Sequence, residues 1–228
     1  MTTFIACRRQ VASLAISLLA GCASVPSVPP AARSELAPTE KLRVGLILSN
    51  QVLVSKDPQT GELRGVTVAL GDALAKRLGV PFKSVGYPNP AALVQSFGRN
   101  EWDIAFLAFD PARARDVDFS LPYMVVDNTY LVPPASKLES VEAVDRPGLQ
   151  VAVPERSAPD LFLSRNLKAA QIVRVPGGAD AAIEVLRSGR ADAYAENAHM
   201  LSLYSDKLPG SRVLQGRYTV IGLNEERR

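Results

Sequence analysis

An apolar run, Ile104 to Phe109, ends abruptly at Asp110-Pro111, and two arginines, Arg113 and Arg115, follow within five residues. Six apolar residues bounded by a turn signal read as a strand buried on both faces, the kind found in a parallel sheet covered by helices. Asp-Pro supplies the turn. Val117, Phe119 and Leu121 then alternate with polar residues until Pro122 breaks the pattern. The chain therefore sets a basic residue in the turn after a core strand, where small ligands bind in open α/β sheets.

The rest of the chain repeats the same grammar. Strands are predicted over 41–48, 81–85, 102–109, 130–133, 149–153, 171–175 and 192–196, with a strand pair over 212–216 and 217–223. Helices are predicted over 68–78, with Thr67 as N-cap and Gly79 as stop, and over 91–97, 157–167, 180–187 and 197–205. Asp-Pro and Thr-Gly between Lys56 and Gly61 mark a hairpin turn. Strands that alternate with helices argue for an α/β fold with mainly parallel sheets. Leu93 to Ala105 and Ile183 to Ala195 echo one another as helix, small turn and strand, with Asp103 and Asp192 in equivalent places.

Composition narrows the class. The 228 residues are 47% hydrophobic and 21% charged, a globular balance. The net charge of +3 is spread in interspersed charges, which gives no nucleic-acid surface. Arg8 and Arg9 precede an apolar run, Val11 to Ala20, too short for the ~20 residues that span a bilayer. Leu19-Ala20-Gly21-Cys22 resembles the bacterial lipobox. That resemblance implies a signal peptide over 1–21, acylation of Cys22, and a lipid anchor. Residues 22–39, rich in Pro, Ser and Ala, read as a flexible tether. Both cysteines, Cys7 and Cys22, lie in this leader, so no disulfide or thiol chemistry is expected in the body. A lone His199 makes no metal cluster, and no metal or cofactor is expected.

Four segments together resemble the bacterial extracellular solute-binding proteins of family 3, the polar amino-acid type. They are Gly65-Val66-Thr67-Val68-Ala69-Leu70, Trp102-Asp103-Ile104-Ala105, Arg113 through Asp118-Phe119-Ser120-Leu121-Pro122-Tyr123, and Ser188-Gly189-Arg190-Ala191-Asp192-Ala193. The resemblance implies a two-lobed periplasmic-binding-protein-like fold, each lobe a mostly parallel sheet flanked by helices. Lobe 1 would be 40–126 plus 221–228 and lobe 2 would be 127–220. The hinge would lie at Tyr123 to Asn128 with a return strand near Tyr218 to Ile221. The chain ends short of the final strand and helix that the family carries. The implied role is the solute-binding component of an ABC-type importer, not an enzyme, held in the periplasm or cell envelope, with a small solute and an ABC permease as partners.

By the same resemblance Arg113 is the residue that holds the ligand carboxylate. A guanidinium suits that task because it offers a bidentate fork and never loses its charge. Ser157 and Ala158 fall in the turn whose N–H groups complete the anion site, although Ser157 has the alternative of capping its own helix. Asp110 either caps its turn or binds a cation. Asn197 stands where the family places the acid that pairs with an α-ammonium, and an amide cannot supply that charge. Glu196 is adjacent but points to the opposite side if the strand continues. These departures weaken the case for an α-amino acid. Tyr87 and Phe109 are candidates for the pocket lining, with core packing as their alternative. The rival on the same fold is a periplasmic dehydratase of the cyclohexadienyl dehydratase type, with Glu196, Glu155 or Asp110 as general acid or base.

Overall fold

Helix and strand alternate along the chain as the periodicity predicts. The computed structural model describes residues 28–227, so the expected signal peptide and the Cys22 acylation site lie outside the described residues. The first half runs α1 (Pro30–Leu36), β1 (Leu42–Ile47), the hairpin β2 (Ser55–Lys56) and β3 (Leu63–Arg64), α2 (Val66–Leu78), β4 (Phe82–Tyr87), α3 (Pro90–Gln95) and β5 (Ile104–Ala108). A 3-10 turn at Arg113–Arg115 leads to β6 (Asp118–Phe119) and β7 (Met124–Val132). The second half follows with β8 (Gln150–Pro154), α4 (Ala158–Asn166), β9 (Gln171–Val175), α5 (Ala179–Arg187), β10 (Ala193–Asn197), α6 (Ala198–Asp206), β11 (Arg212–Val213) and β12 (Thr219–Arg227).

Among the described residues ten strands form one sheet, separate from the β2-β3 hairpin; its main path is β4-β1-β5-β12-β7-β10-β8-β9, with β6 and β11 paired at its side. Its two ends are copies of one pattern. β1 runs parallel between β4 and β5, and β8 runs parallel between β9 and β10. Each wing is thus a βαβαβ unit with its first strand in the middle. The middle of the sheet is the antiparallel pair β7 and β12, which joins one wing to the other. β12 also pairs with β5, and β7 with β10, so backbone hydrogen bonds are continuous across the molecule.

The echo seen in the sequence recurs atom for atom. Asp103 Oδ2 accepts the Arg43 N–H at 2.8 Å, and the Asp103 N–H donates to the Arg43 carbonyl. In the other wing Asp192 Oδ2 accepts the Gln150 N–H at 2.8 Å, and the Asp192 N–H donates to the Gln150 carbonyl. In both places an aspartate ahead of the third strand closes the first rung to the central one. Asp103 additionally holds the Arg43 guanidinium at 2.6 Å.

Each wing has apolar packing on both faces, as a parallel sheet requires. Leu42, Val44 and Leu46 of β1 pack with Ala75 and Leu78 of α2. Ala105 and Leu107 of β5 pack on the other face with Leu93 of α3 and with Trp102, whose indole N–H donates to Ser96 Oγ at 2.7 Å. In the second wing Val151 and Val153 face Leu163 of α4, while Ala152 and Tyr194 face α5 and α6.

Three expectations are corrected. Thr67 is not the N-cap of α2. Gly65 is, at φ +131°, and an added Cβ there would lie 2.2 Å from the Leu53 carbonyl oxygen. Thr67 is buried in the first turn and its hydroxyl donates to that same carbonyl at 3.1 Å. The 130–133 strand is in fact the nine-residue β7, which takes in the expected hinge segment. Part of the expected tether is helix, α1, and Ala37 behind it is packed with Leu42 and Leu78.

Removing Asp103 leaves the Arg43 N–H without its acceptor and the guanidinium without its charged partner, with only the Asn100 oxygens still accepting from it. Breaking a buried ion pair costs about 3–5 kcal/mol, whereas Asp192 carries only a hydrogen bond to an N–H, worth about 1–3 kcal/mol when lost. Urea unfolding should show Asp103→Ala as the more destabilised of the two variants by roughly 2 kcal/mol.

Candidate functional site

The C-terminal ends of the central strands of both wings meet across β7 and β12. A cavity of about 80 Å³, in space open to the centre of a water molecule, lies there. Several waters, or a compact solute that displaces them, fit such a volume. Its walls come from the turn after β1 (Ser49, Asn50), the end of β5 (Ala108), Arg113, the turn and start of α4 (Ser157, Ala158), and Glu196 and Asn197 at the end of β10. This is the switch-point position where the strand order reverses in open α/β sheets.

Arg113 is buried, at 4% exposure, and faces this cavity. Nη1 donates to the Ala108 carbonyl at 2.7 Å, and Nη2 donates to the Arg156 carbonyl. One guanidinium therefore holds the end of β5 in the first wing and the turn before α4 in the second. Arg156 adopts φ +56°, the left-handed region that non-glycine residues seldom occupy. It is kept there from both sides: its N–H donates to Asp160 Oδ2 at 2.9 Å and its carbonyl accepts from Arg113.

Ser157 caps α4, its Oγ accepting the Asp160 N–H at 3.2 Å, and its own N–H donates to the Pro154 carbonyl. That leaves the Ala158 N–H, which opens the helix beside the cavity. Asn197 caps α6, with Oδ1 accepting the Met200 N–H at 3.0 Å. Its Nδ2 donates to Glu196 Oε1 at 3.2 Å, and its backbone N–H donates to the same oxygen at 2.9 Å. Both residues are still within β10 and paired with β7, but the Glu196 carboxyl does not go to the far side. It folds back and lines the cavity, which corrects the expected orientation. Burial pushes its carboxyl up to about 7, against the two hydrogen bonds from Asn197.

Three expected site residues do not reach the cavity. Tyr87 is packed in the core with Leu93 and Trp102, and its hydroxyl donates to Glu101 Oε2 at 2.7 Å. Phe109 is 51% exposed and stacks edge-on against Phe119 at 5.2 Å. Asp110 both caps its turn, accepting the Ala112 N–H at 2.8 Å, and pairs with Arg165 of α4 at 2.8 Å. Asp110 thus answers a cation from the opposite wing rather than from a solute. Conversely, Asn50 and Tyr123 line the cavity unannounced, and the Asn50 Oδ1 and Tyr123 hydroxyl oxygen are buried with no partner among the described residues. Asn50 was findable, because it follows the C-terminal end of the first strand. Tyr123 was not, because only the packing against Phe106 aims it inward.

The profile of the bacterial extracellular solute-binding proteins, family 3, matches residues 42–158, just over half the chain and all three parallel strands of the first wing. The chain belongs to this family. It is 24% identical over 209 residues to the ABC transporter glutamine-binding protein GlnH of Bacillus subtilis (strain 168), covering 86% of this chain and 76% of that one. It is 27% identical over 146 residues to the cyclohexadienyl dehydratase of Pseudomonas aeruginosa, covering 61% of this chain and 53% of that one. Its fold superposes with a TM-score of 0.71 on the ancestral amino acid-binding protein AncCDT-1, a precursor of cyclohexadienyl dehydratase, at 29% identity over 86% of each chain. Family membership gives an extracytoplasmic, solute-binding periplasmic-binding-protein architecture.

The raised carboxyl of Glu196 makes folding stability depend on pH with a definite sign. The folded state keeps a proton that the unfolded chain releases near pH 4.5, so stability is full below that value and declines up to about pH 7. The decline amounts to at most about 3 kcal/mol. Glu196→Gln removes the proton and should flatten denaturation midpoints across pH 4.5 to 7.

Proposed function

We propose that this family member is the extracytoplasmic binding component of an ABC-type importer. On this reading it takes a small carboxylate-bearing solute, an amino acid or related organic acid, between two hinged lobes, and acylated Cys22 anchors it to a membrane. The observation that carries the reading is the cavity itself, with Arg113 on one wall and the start of α4 on the other. A guanidinium and a helix N-terminus are the two donors that best hold a carboxylate. Lobe 1 takes in 40–126 plus 221–228, lobe 2 takes in 127–220, and the hinge is the pair β7 and β12.

In the open cleft the solute's anionic group docks on Arg113. Lobe 2 then closes and brings Ser157, Ala158, Glu196 and Asn197 against it. The Arg113 bond to the Arg156 carbonyl and the Asp110–Arg165 pair at 2.8 Å belong to the closed arrangement, since each joins the loop after β5 to the region of α4. A ligand that adds contacts only in that arrangement shifts the population toward it. The permease reads the closed form.

A second reading has one specific support. Glu196 lies in the cavity with a carboxyl near neutrality, as a general acid requires, and the chain shares 27% identity over 146 residues with a cyclohexadienyl dehydratase. Turnover of a cyclohexadienyl acid by the purified protein, lost in Glu196→Gln, would replace the receptor reading with the enzyme.

A thermal-shift screen with L-glutamine, L-arginine, L-lysine and glutarate tests the receptor. A ligand at about 100 times its Kd stabilises by about 2.7 kcal/mol, or roughly 5–10 °C for a chain of this size. Arg113→Ala should erase the shift, and Arg113→Lys should keep only part of it because an ammonium lacks the bidentate fork. A full shift in Arg113→Ala rules out Arg113 as the anchor.

A further inference from the structure

The last turn of α4 sends a cation out of its own wing. Asp160, in the first turn of that helix, is held by Arg174 of β9 at 2.9 Å, a pair within the second wing. Arg165 pairs instead with Asp110 at 2.8 Å, across the cleft. Helix side chains lean toward the N-terminus, so the long Arg165 side chain is carried toward the cleft end of α4. Asp110 is its sole ion-pair partner among the described residues. The two ends of the pair differ: the Asp110 side chain is 4% exposed and the Arg165 side chain 53%. Asp110 Oδ1 accepts the Ala112 N–H, and Oδ2 takes the guanidinium. A buried carboxylate with one neutral donor calls for a cation. Arg165 supplies it while keeping about half of its own surface in water. The wings meet at a second place, since a Cβ added to Gly178 would lie 3.9 Å from the Ser49 Cβ. Contacts between protein groups thus draw the two wings together.

The geometry points to Asp110–Arg165 as a latch that biases the wings toward closure with no part played by the solute, and that dissolved salt loosens. This deepens the receptor reading above and rests on its two hinged lobes. The Arg113 crossing differs in kind, because there a buried guanidinium bonds a neutral carbonyl. The Asp110–Arg165 contact is charge against charge with one member half in water, so ions reach it. Screening sets in over about 10 Å at 0.1 M salt and about 3 Å at 1 M. A half-exposed pair is modest in strength, and that suits a latch, since a solute enters only if the wings still part. Its loss changes the ratio of closed to open molecules about fivefold. Apparent affinity for a solute that binds only the closed form falls by up to the same factor.

Small-angle X-ray scattering of the full chain, with no solute added, tests this. Asp110→Asn keeps an oxygen for the Ala112 N–H and drops the charge, and Arg165→Gln drops the opposite charge. In about 0.05 M salt each should raise the radius of gyration by about 0.5 Å over the roughly 17 Å of a compact chain of this length. The two rises should be equal, and the double variant should rise no further, because both changes remove one interaction. The unaltered chain should move to the variants' radius in about 1 M salt, while the variants stay where they are. That salt response needs no substitution, so it decides the matter even where a variant unfolds. Single variants with the unaltered radius, a double variant that sums the two rises, or an unaltered chain unmoved by salt overturns the latch. None of these measurements contains a solute, so the receptor reading stands or falls separately, on the thermal-shift screen.

Discussion

One buried guanidinium holds the two halves of the site in register. Arg113 is almost wholly removed from water, and a buried charge with unanswered donors costs several kcal/mol. Its answers come from opposite wings, the Ala108 carbonyl at the end of β5 and the Arg156 carbonyl before α4. The contact therefore works in both directions. The Arg156 carbonyl answers one arm of Arg113, and Arg113 keeps the strained Arg156 turn aimed at the cavity. The Asp110–Arg165 pair repeats the crossing a few residues away. A short stretch after one core strand thus governs how the wings meet, how the start of α4 is presented and how the cavity is bounded.

Much of this was legible from residues alone. The alternation of apolar runs with helical spacing gives both βαβαβ wings to within a few residues, because a strand buried on both faces must be apolar throughout, as Ile104 to Ala108 is. The paired aspartates, Asp103 and Asp192, announce the internal repeat because each answers the first N–H of the neighbouring strand. Arg113 is legible because a turn after a core strand leaves few other places for a charge. The failures share a different cause. Tyr87, Phe109 and Asp110 all lie beside strand ends, but adjacency in sequence does not say which face a side chain takes. Glu101 draws the Tyr87 hydroxyl, Phe119 draws Phe109, and Arg165 draws Asp110, and each of these partners arrives from elsewhere in the fold. Glu196 fails by a local route, since its side chain turns back at the strand end, where Oε1 accepts the Asn197 N–H.

The two halves of the cavity are chemically unequal even though the backbone is nearly symmetric. The first wing contributes a charge that never titrates, and the second contributes a carboxyl that titrates near neutrality. Asn50 and Tyr123 add buried oxygen atoms between them. A solute fitted to such a wall presents an anion to one wing and hydrogen-bond donors to the other. That polarity fixes its orientation in the cleft, which an apolar pocket of the same volume could not do.

The place of β12 in the sheet sets the order in which the molecule can assemble. It is made after every other described strand, yet it lies between β5 and β7 at the centre of the path. Until it emerges, the facing edges of β5 and β7 are bare, and the first wing has no strand connecting it to the second. Pairing residues separated by more than a hundred positions is slow. A chain destined for the far side of a membrane therefore carries its own delay. The two wings stay unjoined at the midline until β12 pairs with both β5 and β7.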